Sequence, residues 1–226
     1  MVKLLHVAVS PLNERSFSAR IAAEFVNSWK ERNPNGTVDS FNLWSEPLPP
    51  FDAVGASWKN KTMSGEDPDA AEQALFVRVK AVVDRFLAAD QYLLSVPMWN
   101  LHIPYPLKHF IDVIVQLGLT FGFDQAGGTV GLVPSERPVQ LVLTRGGMGY
   151  GSGGPLDGLD HQEPYLRRIL HFIGLTDVRS IVAEGTAYGP QVAQPALERA
   201  LVEARAAARD FGQHRGTMTA TAAMSA

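Results

Sequence analysis

The chain has 226 residues, a formal net charge of −3 and no cysteine. This length corresponds to one domain or at most two small ones, and it can bury a core without covalent cross-links. The lack of cysteine excludes disulfides, thiolate metal sites, cysteine-bound iron–sulfur clusters and cysteine nucleophiles, and the charge lacks the basic excess of a nucleic-acid-binding protein.

The N-terminal segment indicates a buried strand. Residues 4–9 are apolar nearly throughout, but the run is too short for a signal peptide and Pro11 follows at once. No apolar run reaches the ~20 residues that span a bilayer. We therefore expect a cytoplasmic protein with neither a membrane nor a nucleic acid as its partner.

The first half of the chain then alternates apolar runs with amphipathic segments. Apolar residues at four-residue spacing predict a helix over 16–32, and residues 37–42 form a second predicted strand. Residues 43–68 are rich in proline, serine, asparagine and glycine, so a long irregular excursion is expected there. A second helix is predicted over 70–89.

The second half repeats this alternation. Further strands are predicted at 92–96, 138–144 and 178–183, and further helices near 106–115, 165–173 and 191–211. Five strands alternating with helices predict a single α/β domain over residues 1–213, with a parallel sheet covered by helices on both faces. Residues 214–226 are small and polar, which predicts a flexible C-terminal tail.

The loop between the first strand and the first helix is a candidate phosphate site. In parallel α/β sheets, ligands bind beyond the carboxyl ends of the strands. This loop clusters Ser10, Ser16 and Ser18 where the free amides of a helix N-terminus lie. It lacks the glycines of a nucleoside-triphosphate loop, which favours a monophosphate. The alternative is that Ser16 only caps the helix.

Two further loops follow predicted strands and carry unusual residues. Residues 97–104 place Trp99 and His102 between prolines, and such a rigid loop suits the edge of a planar ring; the alternative is that Trp99 belongs to the core. In the loop at 144–147, glycines let a ligand approach the backbone. The run at 149–154 matches G-x-G-x-x-G, but it does not open a helix, so a mobile loop is favoured over a dinucleotide motif.

Two other chemistries find little support. Ser152 does not form a hydrolase nucleophile elbow, because Tyr150 occupies the position of the first glycine. The histidines show no metal-binding spacing, so no metal site is expected. With no cysteine in the chain, any redox chemistry must come from a bound cofactor.

Together, the motifs resemble those of the FMN-dependent NADH azoreductases, which belong with the flavodoxin-like NAD(P)H:quinone reductases. The motifs are Ser10-Pro11 with Ser16-Phe17-Ser18, Pro97–Pro104, Lys108 with Ile111-Asp112, Gly118–Phe121, Thr144–Gly147, Phe172–Asp177 and Ala183–Pro190. The resemblance extends from about Lys3 to Phe211. Trp99 and Leu101 depart from the family, which commonly has other aromatic residues there, and Thr144 replaces a serine.

The resemblance implies a flavodoxin-like fold with a five-stranded parallel sheet in the order 2-1-3-4-5. It also implies a homodimer with one FMN per subunit and NADH or NADPH as the electron donor. The implied reaction is the reduction of quinones and azo compounds by ping-pong two-electron hydride transfer through FMN. The alternative is a flavodoxin-type electron carrier or regulatory FMN-binding protein without its own turnover, although carriers are usually far more acidic than this chain.

The resemblance also assigns roles to individual residues. The implied FMN-binding residues are Ser10, Ser16, Phe17, Ser18, Pro97, Met98, Trp99, Asn100, Leu101, Thr144, Arg145, Gly146 and Gly147. Phe121, Phe123 and Phe172 are expected to cover the substrate face, partly from the partner subunit. His102 is a candidate catalytic proton donor, and the alternative is that it hydrogen-bonds only within its own loop.

Overall fold

The computed structural model describes residues 1–212, so the predicted tail at 214–226 lies outside the described residues. Its centre is a five-stranded parallel sheet. The strands are β1 (Lys3–Ala8), β2 (Thr37–Asn42), β3 (Gln91–Pro97), β6 (Val139–Thr144) and β7 (Val178–Ala183), and β4 (Phe121–Phe123) and β5 (Thr129–Gly131) form a separate antiparallel hairpin. The sheet order β2-β1-β3-β6-β7 is the predicted order once the hairpin is left out of the numbering.

Helices cover both faces of the sheet, as predicted. The helices are α1 (Phe17–Arg32), α2 (Ala53–Ser64), α3 (Ala70–Leu87), α4 (Tyr105–Ile114), α5 (Glu163–Phe172) and α6 (Pro190–Arg209). Successive strand residues point to opposite faces, so Leu4 belongs to the core that includes residues of α1 and α6, while Leu5 belongs to the core that includes residues of α3, α4 and α5. No helix within residues 1–212 is long and apolar enough to cross a membrane.

The predicted irregular excursion at 43–68 is wrong in part, because it contains α2. The carboxylate of Asp52 accepts hydrogen bonds from the amides of Val54 and Gly55, which starts the helix. The periodicity was weak because α2 buries little beyond Trp58, which stacks on Phe76 of α3 at a ring distance of 4.7 Å. This helix is held by contact with α3 more than by its own pattern.

Candidate functional site

The serine loop does not use Ser16 as a helix cap. Ser16 precedes α1 in an extended conformation, and its side chain makes no capping hydrogen bond. Its Oγ instead lies 2.9 Å from Oγ of Ser18, and both residues are buried. The capping interpretation is therefore wrong, and two hydroxyls meet at an N-terminus whose first amides lack intrahelical acceptors. This arrangement suits a phosphate.

The segment after β3 forms a tight and strained turn. The amide of Trp99 donates to the carbonyl of His102 at 2.8 Å, and the amide of His102 donates back at 2.9 Å. Asn100 and Leu101 between them have φ angles of 48° and 69°, the pattern of a type I′ turn. Leucine is an unfavourable residue at positive φ, and such strain is concentrated at functional sites. Among the described residues, nothing accepts a hydrogen bond from the amides of Asn100 and Leu101.

Strand register brings the three predicted loops to one edge of the sheet. The amide of Val9 donates to the carbonyl of Ser95 at 3.1 Å, which sets the serine loop beside the end of β3. Thr144 pairs with Pro97 in register, and its carbonyl accepts from the amide of Met98 at 2.7 Å. The serine loop, the turn and the glycines after β6 therefore surround one region beyond the carboxyl ends of the strands.

The side chain of Arg145 is engaged by acidic residues rather than left free for a ligand. It is buried, and its guanidinium contacts Asp160 at 2.6 Å, Glu184 at 3.0 Å and Glu163 at 3.4 Å. Gln162 accepts a further hydrogen bond from Nε at 3.3 Å. Only the backbone of Arg145 is therefore available to border a ligand, and its side chain organises the surrounding loops.

These acidic partners were missed by sequence reasoning. Asp160 and Glu163 follow the glycine-rich segment, and Glu184 follows β7, so their proximity depends on the sheet order. The only sequence signal was a position after a strand end or before a helix. No group of histidine and acidic residues suited to a metal ion occurs in residues 1–212.

His102 forms a hydrogen bond within its own loop, as the alternative interpretation of this residue predicts. Its Nδ1 accepts from the amide of Ile103 at 2.8 Å, which assigns the ring proton to Nε2. Its ring lies 5.0 Å from the ring of Tyr165. The pKa of His102 is lowered, first by burial and then by the charges of His161 and Lys108. His102 is therefore a neutral hydrogen-bond donor at neutral pH.

An aromatic cluster beside the turn includes Trp44, which sequence reasoning missed. The indole N–H of Trp44 donates to the carbonyl of Val9 at 2.7 Å. Its ring lies 5.7 Å from that of Trp99 and 5.5 Å from that of Tyr105. Trp99 is 37% exposed, so it is not a core residue. These rings form an exposed aromatic surface at the carboxyl edge.

The three predicted substrate-covering phenylalanines lie together, but at the other end of the sheet. Phe121 lies 5.0 Å from Phe172 and 6.2 Å from Phe123 in ring distance. Helix α5 begins near Arg145 and rises about 15 Å over ten residues, so Phe172 at its end is remote from the turn. Within one chain, these rings do not cover the region between the three loops.

Comparison with known proteins agrees with this geometry. A family model described as "Flavodoxin-like fold" matches residues 2–208. The chain is 43% identical over 216 residues to a protein of Nitratidesulfovibrio vulgaris named FMN-dependent NADH:quinone oxidoreductase, covering 93% of this chain and 100% of that one. It is 40% identical to FMN-dependent NADH:quinone oxidoreductase 2 of Trichormus variabilis over 206 residues, covering 91% and 95%.

Solved structures give the same result. An azoreductase from Bacillus anthracis str. Sterne superimposes with a TM-score of 0.83 at 30% identity, covering 93% of this chain and 100% of that one. An FMN-dependent NADH-azoreductase from Bacillus anthracis str. Ames Ancestor, solved in complex with FMN, gives a TM-score of 0.78 at 27% identity, covering 92% and 100%. The similarity therefore extends over nearly the whole chain.

Proposed function

The chain belongs to the flavodoxin-like family of FMN-dependent NADH:quinone oxidoreductases, and from this premise we propose that it reduces quinones with NADH through bound FMN. The observation that carries the proposal is the paired hydroxyls of Ser16 and Ser18 at the start of α1, 2.9 Å apart and not used as a cap. Together with the free amides at the start of the helix, these hydroxyls would bind the phosphate of a mononucleotide at this edge of the sheet.

The residues around this edge fit FMN. The hydroxyls of Ser16 and Ser18 and the amide of Phe17 would bind the phosphate, and Ser10 shapes the loop by accepting a hydrogen bond from the amide of Leu12. The segment from Pro97 to Leu101 would lie along the rest of the cofactor. When bound, FMN accepts a hydride from NADH and passes two electrons to an acceptor.

Backbone amides would stabilise the negative charge that reduction places in the site. Asn100 and Leu101 present unpaired amides at the turn. Gly146 and Gly147 use their carbonyls to accept from the amides of Ala187 and Gly185, and nothing in residues 1–212 accepts from their own amides. Preorganised amides of this kind favour developing negative charge without reorganising during the reaction.

The proposed proton-donor role of His102 is limited by its tautomer. Its Nδ1 is occupied by the amide of Ile103, so donation can come only from Nε2. Because its pKa is lowered, the ring acts as a neutral donor, and solvent can supply protons to the product.

We propose that the donor and the acceptor use the site in turn, which is a ping-pong mechanism, and that azo compounds are reduced over two such cycles. Double-reciprocal plots at several quinone concentrations should then be parallel. Intersecting lines would show that both reactants bind together. A cytoplasmic location, where NADH is available, is part of the same proposal.

We propose that the protein is a homodimer, and the position of three phenylalanines supports this. Phe121, Phe123 and Phe172 cluster far from the serine loop of their own chain, so they can cover a flavin only in a second subunit. Phe123 and Phe172 are partly exposed, at 51% and 36%, which leaves them available for such a contact. We therefore propose that each site is completed by the partner's hairpin and α5.

The experiment that tests the function is flavin loading. The purified protein with FMN should absorb at about 375 and 450 nm, NADH should bleach these bands without oxygen, and menadione should restore them. Steady NADH consumption with menadione distinguishes the enzyme from an electron carrier. A chain that does not bind FMN, or binds it without being reduced by NADH, would contradict the proposal.

A further inference from the structure

A surface cavity adjoins the turn at Asn100–Leu101. It has a volume of about 410 Å³ and is lined by His102, His161, Pro164, Tyr165 and Arg168. The amide of His161 donates to the carbonyl of Leu101 at 3.0 Å, so the cavity shares its wall with the turn. A reactant bound beside the turn therefore needs only a short substituent to reach this cavity.

The charge of the cavity is positive because its arginine has no acidic partner. Arg167, the neighbouring residue, pairs with Glu163 at 2.9 Å and also bonds Ser180. By contrast, no described residue forms an ion pair or hydrogen bond with the guanidinium of Arg168.

Nearby acidic groups do not neutralise Arg168. Asp160 and Glu163 are committed to Arg145. Asp112, on α4, pairs with Lys108 at 2.6 Å. The cavity therefore keeps an uncompensated positive charge.

The remaining wall supplies donors. His102 carries its ring proton on Nε2, since Nδ1 accepts from Ile103. The hydroxyl of Tyr165 has no hydrogen-bond partner among the described residues. A guanidinium together with neutral N–H and O–H donors is the set that recognises an oxyanion.

We infer that this cavity, the His102–Arg168 pocket, binds the oxyanion group of a reactant, such as a sulfonate, carboxylate or phosphate. The inference deepens the proposed function, on which it rests, by assigning acidic reactants to the site. The oxyanion belongs either to the acceptor or to the pyrophosphate of the nucleotide. The two sources share one chemistry and are separated by the test.

The test compares two quinones with the same ring system, menadione and 1,4-naphthoquinone-2-sulfonate, in the FMN-loaded enzyme. If the acceptor supplies the oxyanion, Arg168→Gln should lower the ratio of kcat/KM for the sulfonate to that for menadione about tenfold. If the nucleotide supplies it, the KM for NADH should rise about tenfold and the quinone ratio should stay constant. In either case, Arg168→Lys should stay close to the wild-type values, because lysine keeps the positive charge.

The matched control is Arg78→Gln, which removes an exposed arginine of α3 that lines a different surface depression. A second readout is equilibrium binding of naphthalene-2-sulfonate by calorimetry, which needs no turnover. Three quantities are compared between Arg168→Gln and Arg78→Gln: the quinone ratio, the KM for NADH and the affinity for naphthalene-2-sulfonate. If none of them changes more in Arg168→Gln than in Arg78→Gln, the inference is overturned. If the loaded protein oxidises no NADH, the proposed function fails, and calorimetry still decides whether the pocket binds an oxyanion.

Discussion

Buried Arg145 and partly buried Glu184 form an ion pair across the ends of β6 and β7, with Nη1 3.0 Å from Oε1. The other carboxylate oxygen of Glu184 accepts a hydrogen bond from the amide of Gly149 at 2.7 Å. Asp160, at the far end of the glycine-rich segment, contacts the same guanidinium at 2.6 Å. One arginine therefore holds this segment at two points against the carboxyl edge of the sheet.

Glu184→Gln should loosen the glycine-rich segment while keeping a side chain of the same size beside Arg145. Glutamine keeps the size but has a single acceptor oxygen and no charge, so one of the two hydrogen bonds is lost and the other is weakened. We expect chymotrypsin to cleave after Tyr150 about tenfold faster, since cleavage there requires local opening. Cleavage is measured by mass spectrometry. Glu198→Gln on the exposed face of α6 is the control, and equal cleavage rates in the two variants would refute the anchoring role.

The double variant Ser16→Ala with Ser18→Ala should weaken FMN binding about 100-fold. Each hydroxyl can donate to a charged phosphate, and such bonds contribute about 1.5–3 kcal/mol. The measurement is quenching of flavin fluorescence on binding to the apoprotein. Ser28→Ala removes a buried hydroxyl from the same helix and should leave the affinity unchanged. An affinity equal to that of the Ser28→Ala control would exclude this loop as the phosphate site.

Hybrid dimers test whether Phe172 acts on the partner's site. Two chains are co-expressed with different tags, one with Phe172→Ala and one with the double serine change. In the hybrid, FMN on the first chain faces an intact phenylalanine of the second. We expect purified hybrids to recover about half of the wild-type NADH:menadione activity, because one of two symmetric sites is complete.

In the matched control hybrid, Phe172→Ala is present on both chains. This hybrid should recover none of the NADH:menadione activity. Recovery equal in both hybrids would show that Phe172 does not act across the interface. A strictly monomeric protein in sedimentation experiments would exclude the dimer itself.

The free energy of unfolding should decrease as the pH is lowered, and we attribute part of this decrease to His6. Its Nε2 lies 3.0 Å from Oγ of Ser95, and burial lowers its pKa from 6.5 to about 4. Between these values the unfolded chain binds a proton that the folded chain does not, so the free energy of unfolding decreases as pH falls from 6.5 toward 4. The loss attributable to His6 is at most about 3 kcal/mol.

Urea unfolding at pH 7 and pH 4.5 measures this slope. His6→Gln should reduce the difference between the two pH values, since glutamine does not titrate. His171→Gln, which changes an exposed histidine of α5, should preserve it. If His6→Gln shows the same difference in the free energy of unfolding between the two pH values as the wild type, other groups cause the pH dependence.

The sequence alone determined the order of strands and helices, and with it the parallel sheet, because apolar runs and four-residue spacings report which residues are buried. It also located the serine loop, the turn and the glycines after β6, since each follows a strand and ligands gather at that edge. The family resemblance supplied the cofactor, and the comparisons confirmed it.

Only the tertiary structure decided how these segments act together. The pairing of β6 with β7 brings Glu184 to Arg145, whereas Asp160 and Glu163 reach the same guanidinium because the chain after β6 folds back at the start of α5. Helix α2 lacks a strong pattern because its stability comes from contact with α3. Local patterns record burial and turns, whereas ion pairs between distant residues depend on which strands are neighbours, and no local spacing encodes that.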